Sequence, residues 1–187
     1  MFKKLLLTLM LSVFIIASSQ AAIIIGNPSG DVTLTFIYDY QCLYCHHTYH
    51  ALQKLMEEKP DIRIRLVPVP LLNPMSYQEM KLAITLAQTP YFNELNLILM
   101  NEIPKTPQEL NTLLAQFDLD PSVIYHSNNQ KVLSELKENI NEFKQLKKER
   151  VPLILIHTSK SILAPIMLEG EQNEVTLKQA IDNAMAH

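Results

Sequence analysis

The sequence predicts an α/β fold in which an all-helical segment interrupts a sheet-forming domain, and three observations carry that prediction. Strand, helix and strand character follow one another over residues 32–67, the order that builds a parallel β-α-β unit. From 72 to 149 the texture is helical, punctuated by prolines. After Val151-Pro152 it returns to strand, strand and helix. The sheet domain is therefore expected over 22–71 and 150–187, with the helical insertion at 72–149.

The elements follow in order. Lys3 and Lys4 precede an apolar stretch over residues 5–17 and the small, polar Ser18-Ser19-Gln20-Ala21, which is the layout of a secretory signal peptide. At about 13 residues its apolar core falls short of the roughly 20 that a membrane-spanning helix needs. Cleavage is expected after Ala21, and no cysteine follows closely enough for a lipoprotein. Val32-Thr33-Leu34-Thr35-Phe36-Ile37-Tyr38 is β-branched and aromatic, the composition of a buried strand. Beyond Asp39-Tyr40-Gln41, the spacing of Cys45, Tyr49, Leu52, Leu55 and Met56 predicts a helix that stops near Lys59-Pro60. A second strand is predicted over 62–67.

Four helices are predicted in the insertion. Asn73-Pro74, Thr89-Pro90, Thr106-Pro107 and Asp120-Pro121 each pair an N-cap residue with proline at the first helical position, where its missing N–H costs nothing. Thr106 and Glu109 have the spacing of a capping box. The fourth helix is long, with a kink expected at 127–129 and a stripe of Leu133, Leu136, Ile140, Phe143 and Leu146. Strands are then predicted over 153–157 and 162–168, joined by a turn at 158–161. A helix over 174–186 presents Val175, Leu177, Ile181 and Met185.

Composition excludes several function classes. The net charge is −3, and the one basic run, Lys144 to Arg150, suits the end of a solvated helix, so nucleic acid is not the expected partner. Three glycines leave no material for a phosphate-binding loop. His126, His157 and His187 are isolated, the eight methionines are dispersed, and no serine, histidine and acid arrangement stands out.

The chain has two cysteines, Cys42 and Cys45. A disulfide between them closes so short a loop that it stabilises almost nothing, so the pair reads as chemical rather than architectural. Cys42-Leu43-Tyr44-Cys45 falls where a strand ends and a helix starts. Residues three apart on a helix share a face with Cβ atoms about 5–6 Å apart, within reach of a disulfide. The unpaired N–H groups of the helix start favour an anion at Cys42, which predicts an exposed sulfur of low pKa there. Cys45, one turn in, is predicted to be the buried resolving thiol. The alternatives are an inert core pair, or a metal site that recruits His46, His47 and His50. No second ligand pair elsewhere completes such a site.

These segments resemble one known family. Gly26-Asn27-Pro28, Val32-Thr33-Leu34 and Asp39-Tyr40-Gln41-Cys42-Leu43-Tyr44-Cys45 are similar to the opening of the DsbA-like thiol-disulfide oxidoreductases. Leu71-Leu72-Asn73-Pro74-Met75-Ser76 resembles the loop that begins that family's inserted domain, and Val151-Pro152 its cis-proline loop. The resemblance implies a thioredoxin-like fold with an inserted all-helical domain. It also implies catalysis by a redox-active Cys42–Cys45 disulfide with no further cofactor, supported by Leu43, Tyr44, Val151 and Pro152. The implied partners are reduced or unfolded exported proteins and a membrane redox partner of the DsbB type, the location the periplasm, and the expected state a monomer. Three departures bear on the potential. Phe36 stands where the family usually has a buried glutamate, Leu43-Tyr44 replaces the commoner Pro-His or Pro-Tyr, and Arg150 stands where glycine often precedes the cis-proline dipeptide. A reductase or isomerase on the same site is the nearest alternative, and the short lead-in before Val32 argues against an isomerase with its own dimerisation domain. A metal-binding envelope protein using the cysteines and His46, His47 or His50 is the alternative from another class.

Overall fold

The computed structural model describes residues 22–116, 128–159 and 163–186. The predicted signal peptide, the Asp120-Pro121 helix start, His126 and His187 lie outside these residues.

A five-stranded mixed sheet organises the chain, in the order β1-β3-β2-β4-β5. The elements before the insertion are β1 (Ile23–Gly26), β2 (Val32–Tyr38), α1 (Leu43–Glu58) and β3 (Ile62–Pro68). Those after it are β4 (Leu153–Thr158), β5 (Ile166–Glu169) and α6 (Glu174–Met185). β2 and β3 run parallel, as the intervening helix requires, while β1, β4 and β5 join antiparallel to their neighbours. The central strand β2 is buried along its whole length, which is why it reads as a continuous apolar and β-branched run rather than an alternating one.

Its two faces serve different partners. Leu34, Phe36 and Tyr38 share one core with α1 residues Cys45, Tyr49, Leu52 and Leu55 and with Leu177 and Ile181 of α6. On the other face Ile37 packs with Val67, Val69, Leu153 and Phe143, the last from the insertion. Arg65 of β3 pairs there with Glu142.

Four helices of the insertion are described: α2 (Pro74–Leu86), α3 (Phe92–Leu99), α4 (Pro107–Gln116) and α5 (Gln130–Gln145). Asn73 caps α2 with a full capping box, its side chain accepting from Met75 and Ser76 N–H while Ser76 accepts from Asn73 N–H. α2 turns Met75, Leu82 and Leu86 toward the core shared with α1 and α3, and Met80 and Ile84 toward Val132 and Leu136 of α5.

Several expectations need correction. Thr89-Pro90 does not start a helix: Thr89 Oγ1 instead donates to Leu86 O, closing the end of α2, and α3 begins at Phe92 with no side-chain cap. Thr106 accepts from Glu109 N–H as predicted, but the Glu109 carboxylate accepts from Lys105 N–H, one residue before the cap. At the expected kink a helix starts instead, Asn129 Oδ1 accepting from Val132 N–H, while Ser127 lies outside the described residues. The buried stripe of α5 is Val132, Leu136 and Phe143, displacing Leu133. β5 begins at Ile166 rather than 162, and Val175 and Met185 of α6 face solvent. β1 was not predicted at all. Four residues at a sheet edge carry too short a pattern to declare themselves.

Gly26 closes β1 with φ +76°, and a Cβ there would lie 2.7 Å from the Ile62 carbonyl oxygen. Gly26→Ala should lower the unfolding free energy by about 1 kcal/mol or more, read from the urea midpoint, because both the left-handed backbone and the close approach oppose a side chain.

Candidate active site

The site forms where β2 gives way to α1. Asp39-Tyr40-Gln41 makes the turn, and Cys42 is the N-cap of the helix with extended backbone. Its sulfur accepts the Cys45 N–H at 3.3 Å, the place a serine or aspartate oxygen takes in an ordinary cap. The backbone supports the same geometry: Cys42 N–H donates to Asp39 O at 3.1 Å, and Cys45 N–H also reaches Cys42 O at 2.9 Å. Both cysteines are thiols in this structure.

Their environments differ as the helix position dictates. Cys45 is fully buried in the core with Tyr49 and Leu52. Cys42, expected to be exposed, retains only 7% of its surface, with the Val151-Pro152 loop against its sulfur. The Val151–Pro152 peptide bond is cis, and the Cys42 Sγ lies 3.8 Å from the Val151 carbonyl oxygen, which its thiol faces as a donor. Leu43 and Tyr44, between the cysteines, are 54% and 60% exposed and present apolar surface in the first turn of α1.

The two thiols are pushed apart electrostatically. A hydrogen bond from the Cys45 thiol draws the Cys42 pKa below its ordinary value, against its partial burial, and the N–H groups of Cys45 and Tyr44 add to the lowering. The negative Asp39 opposes them. Burial raises Cys45 far above the ordinary thiol range, and its role as donor to Cys42 raises it further. Cys42 is therefore the first of the pair to ionise, and Cys45 the one that holds its proton.

Asp39 is a member that the sequence alone did not single out. It has no exposed surface, and its carboxylate accepts three backbone N–H groups: Gln41 at 2.8 Å, Leu71 at 2.7 Å and Leu72 at 2.9 Å. The loop leaving β3 is thereby fastened beside the cysteine turn. Behind the turn lies a second buried network, in which Tyr38 donates to Tyr40, Tyr40 donates to Asn96 Oδ1 at 2.8 Å, and Asn96 Nδ2 donates to Tyr49. These polar groups sit inside apolar runs, where sequence pattern does not distinguish a hydrogen-bonded tyrosine from packing. Phe36 is wholly buried and stacks on Tyr38 with ring centroids 4.7 Å apart, so an apolar ring fills the position discussed above.

The three histidines after Cys45 are not brought together. His46 is buried with its Nε2 2.6 Å from Tyr40 O, and burial lowers its pKa, which keeps the ring neutral and donating. His47 Nδ1 lies 2.9 Å from the Glu171 carboxylate, and His50 Nδ1 lies 3.0 Å from Gln53. Among the described residues no group of three or more His, Cys, Asp or Glu is arranged to hold a metal ion. His157 is exposed on β4 and Arg150 is exposed before the cis peptide bond. Among the described residues no helix is long and apolar enough to cross a membrane.

Alkylation with iodoacetamide tests the asymmetry. The native dithiol protein should take one equivalent rapidly at Cys42, with a rate that rises through a midpoint below 9.0, and should label Cys45 only on unfolding. Equal labelling of both thiols would contradict it. Folding depresses the Cys42 pKa, so this one group contributes stability that is complete above the unfolded thiol's pKa and is lost as pH falls through the folded value. Cys45, raised by burial, contributes in the opposite sense, its share being present below the unfolded thiol's pKa and lost as pH rises. Asp39→Ala removes the acceptor of one buried and two part-buried backbone N–H groups and should cost about 2 kcal/mol or more in a denaturant titration, with Asp39→Asn costing less because one carbonyl oxygen remains.

Solved structures share this fold. A thioredoxin-like oxidoreductase from Silicibacter pomeroyi DSS-3 superposes with a TM-score of 0.78 at 20% identity, covering 89% of this chain and 93% of its own. A periplasmic thioredoxin-like protein from Salmonella enterica serovar Typhimurium gives 0.73 at 19% identity, over 89% and 91%. Alpha-DsbA1 from Wolbachia pipientis gives 0.77 at 14% identity, over 89% and 92%. At these identities the likeness is one of fold. A search of curated proteins finds no sequence match. The family model described as thioredoxin matches residues 18–183, spanning every described element but the last turn of α6. With its cysteine pair at the head of α1 and its sheet interrupted by helices, the chain belongs to the thioredoxin family.

Proposed function

We propose that the protein is an exported thiol-disulfide oxidoreductase that donates disulfides to reduced proteins. The observation that carries this reading is the Cys42 sulfur acting as the N-cap of α1, where helix N–H groups and the Cys45 thiol stabilise it as an anion.

The reaction starts from the Cys42–Cys45 disulfide. A substrate thiolate attacks the Cys42 sulfur, forming a mixed disulfide and releasing Cys45, which takes up a proton in its buried site. A second substrate thiolate then attacks the substrate sulfur of the mixed disulfide. The substrate disulfide forms, Cys42 leaves as the stabilised thiolate, and two electrons have passed to the protein. The low Cys42 pKa makes this last departure favourable. No bound cofactor enters the reaction.

The surroundings suit a polypeptide substrate. Leu43, Tyr44 and Leu72 are exposed, and exposed apolar side chains of this kind offer contacts to an unfolded chain. The signal-peptide pattern of residues 1–21 and the likeness to a periplasmic protein support export to the periplasm. There a membrane redox partner of the DsbB type would reoxidise the pair, and the protein would act as a monomer.

A second reading, disulfide reduction or isomerisation at the same sulfur, is favoured by Asp39 and by burial, both of which raise the Cys42 pKa against the helix. Equilibration with a glutathione redox series separates the two. A donor should have a potential above the roughly −270 mV of thioredoxin. A value at or below that would assign the protein to reduction. Cys42→Ser should abolish exchange, and Cys45→Ser should accumulate mixed disulfides through Cys42. Full exchange activity in either variant would remove the assignment of these sulfurs.

A further inference from the structure

Glu79 belongs to α2 in the insertion, yet it reaches the turn that carries Cys42. Its side chain is completely buried, and Oε1 accepts from Gln41 Nε2 at 2.9 Å. The same Gln41 nitrogen donates to Pro104 O at 2.9 Å, and Gln41 Oε1 accepts from Asn73 Nδ2 at 3.1 Å. Three points of the insertion thus grip the residue next to Cys42. Glu79 Oε2 is buried with no hydrogen-bond partner, and among the described residues Glu79 has no ion-pair partner. The charged and titratable groups that face it are Asp39 and Tyr40 from the turn before α1, and Lys105 from the connection between α3 and α4. A carboxylate in this place would be an unsolvated anion with one oxygen unpaired and another anion near it. An unpaired neutral hydroxyl costs far less.

We propose that Glu79 is a positioning residue of the dithiol site, working as a neutral carboxylic acid that holds the Gln41 side chain and so fixes the Cys42 turn against the helical insertion. The proposal rests on Cys42 being the exchanging sulfur. Burial raises the Glu79 pKa from 4.5 to about 8, reduced by the Gln41 hydrogen bond and by Lys105 and increased by Asp39. Ionisation then places a second buried anion beside Asp39, and the strain is relieved by letting water in between insertion and turn. The linkage follows: stability that is complete below pH 4.5 is lost as pH rises through about 8. Asp39 would set the resting place of the turn, and Glu79 would release it on the alkaline side.

The test follows the Glu79 carboxyl carbon and the Gln41 side-chain amide by NMR from acid to alkaline pH in the dithiol protein, alongside exchange with a peptide disulfide. The expected result is a Glu79 midpoint near 8 with the Gln41 amide moving in step. Glu79→Gln, the conservative variant, should restore the clamp without its proton, keeping the Gln41 amide in place and removing the alkaline break in the exchange profile. Glu79→Ala should free the Gln41 amide at every pH and slow exchange by roughly threefold to tenfold through misplacement of the turn. A Glu79 midpoint in the ordinary carboxylate range would overturn the proposal. So would a Glu79→Ala protein with the wild-type amide and rate. If Glu79→Ala does not fold, Glu79→Gln decides alone, and an alkaline break unchanged from wild type overturns the proposal. The NMR titration does not depend on exchange, so failure of the Cys42 assignment, seen as an active Cys42→Ser, remains distinguishable.

Discussion

A carboxylate without exposed surface has to find its compensation inside the protein, and Asp39 finds it in backbone. Three N–H groups converge on it, one from the turn before Cys42 and two from the loop that leaves β3 for the insertion. Those segments are thirty residues apart, and each leaves the sheet at the same end. Without the shared acceptor one buried and two part-buried N–H groups would lose their partner, so the folded state cannot part these segments cheaply. The position of the helical insertion relative to the cysteine turn follows from this one group. Asn73, Gln41 and Pro104 then extend the same seam.

The chemistry of the pair depends on which effects reach the sulfur and which do not. The stabilisation of Cys42 is local, coming from the Cys45 thiol and the first N–H groups of α1. The opposition is also local, from burial under the Val151-Pro152 loop and from Asp39. Phe36, stacked on Tyr38, contributes packing and no charge. Here Cys45 is governed by burial and by its bond to Cys42 alone among large effects, which widens the gap between the two thiols.

Much of this was legible before any coordinates. The strand Val32–Tyr38 appears with its expected bounds, and the cysteine pair appears at the head of a helix because strand pattern, turn and helical spacing all change within a few residues. Asn73-Pro74 announced a cap that is fully formed. Thr89-Pro90 has the same two-letter punctuation and does something else, since the threonine hydroxyl found a carbonyl behind it before an N–H ahead of it. That choice is made by tertiary position, which local pattern does not contain. Asp39 and Glu79 were hidden for a related reason. An acid in a turn and an acid on an amphipathic helix are ordinary in sequence, and only the fold reveals that both are sealed from water. The shielding of Cys42 likewise depends on a loop more than a hundred residues away.

The sheet order has a consequence for the company such a protein keeps. β2, which delivers the cysteines, is central, and its backbone is paired on both sides by β3 and β4. The outer strands β1 and β5 are four residues each, and both are followed by a glycine-containing turn, Gly26 closing the first and Gly170 following the second. Unpaired strand edges act as templates for any extended chain, and short ones offer few rungs. Under the proposed function the protein would meet extended chains at every turnover, and its brief edges would let it touch them at the sulfur without adding them to its own sheet.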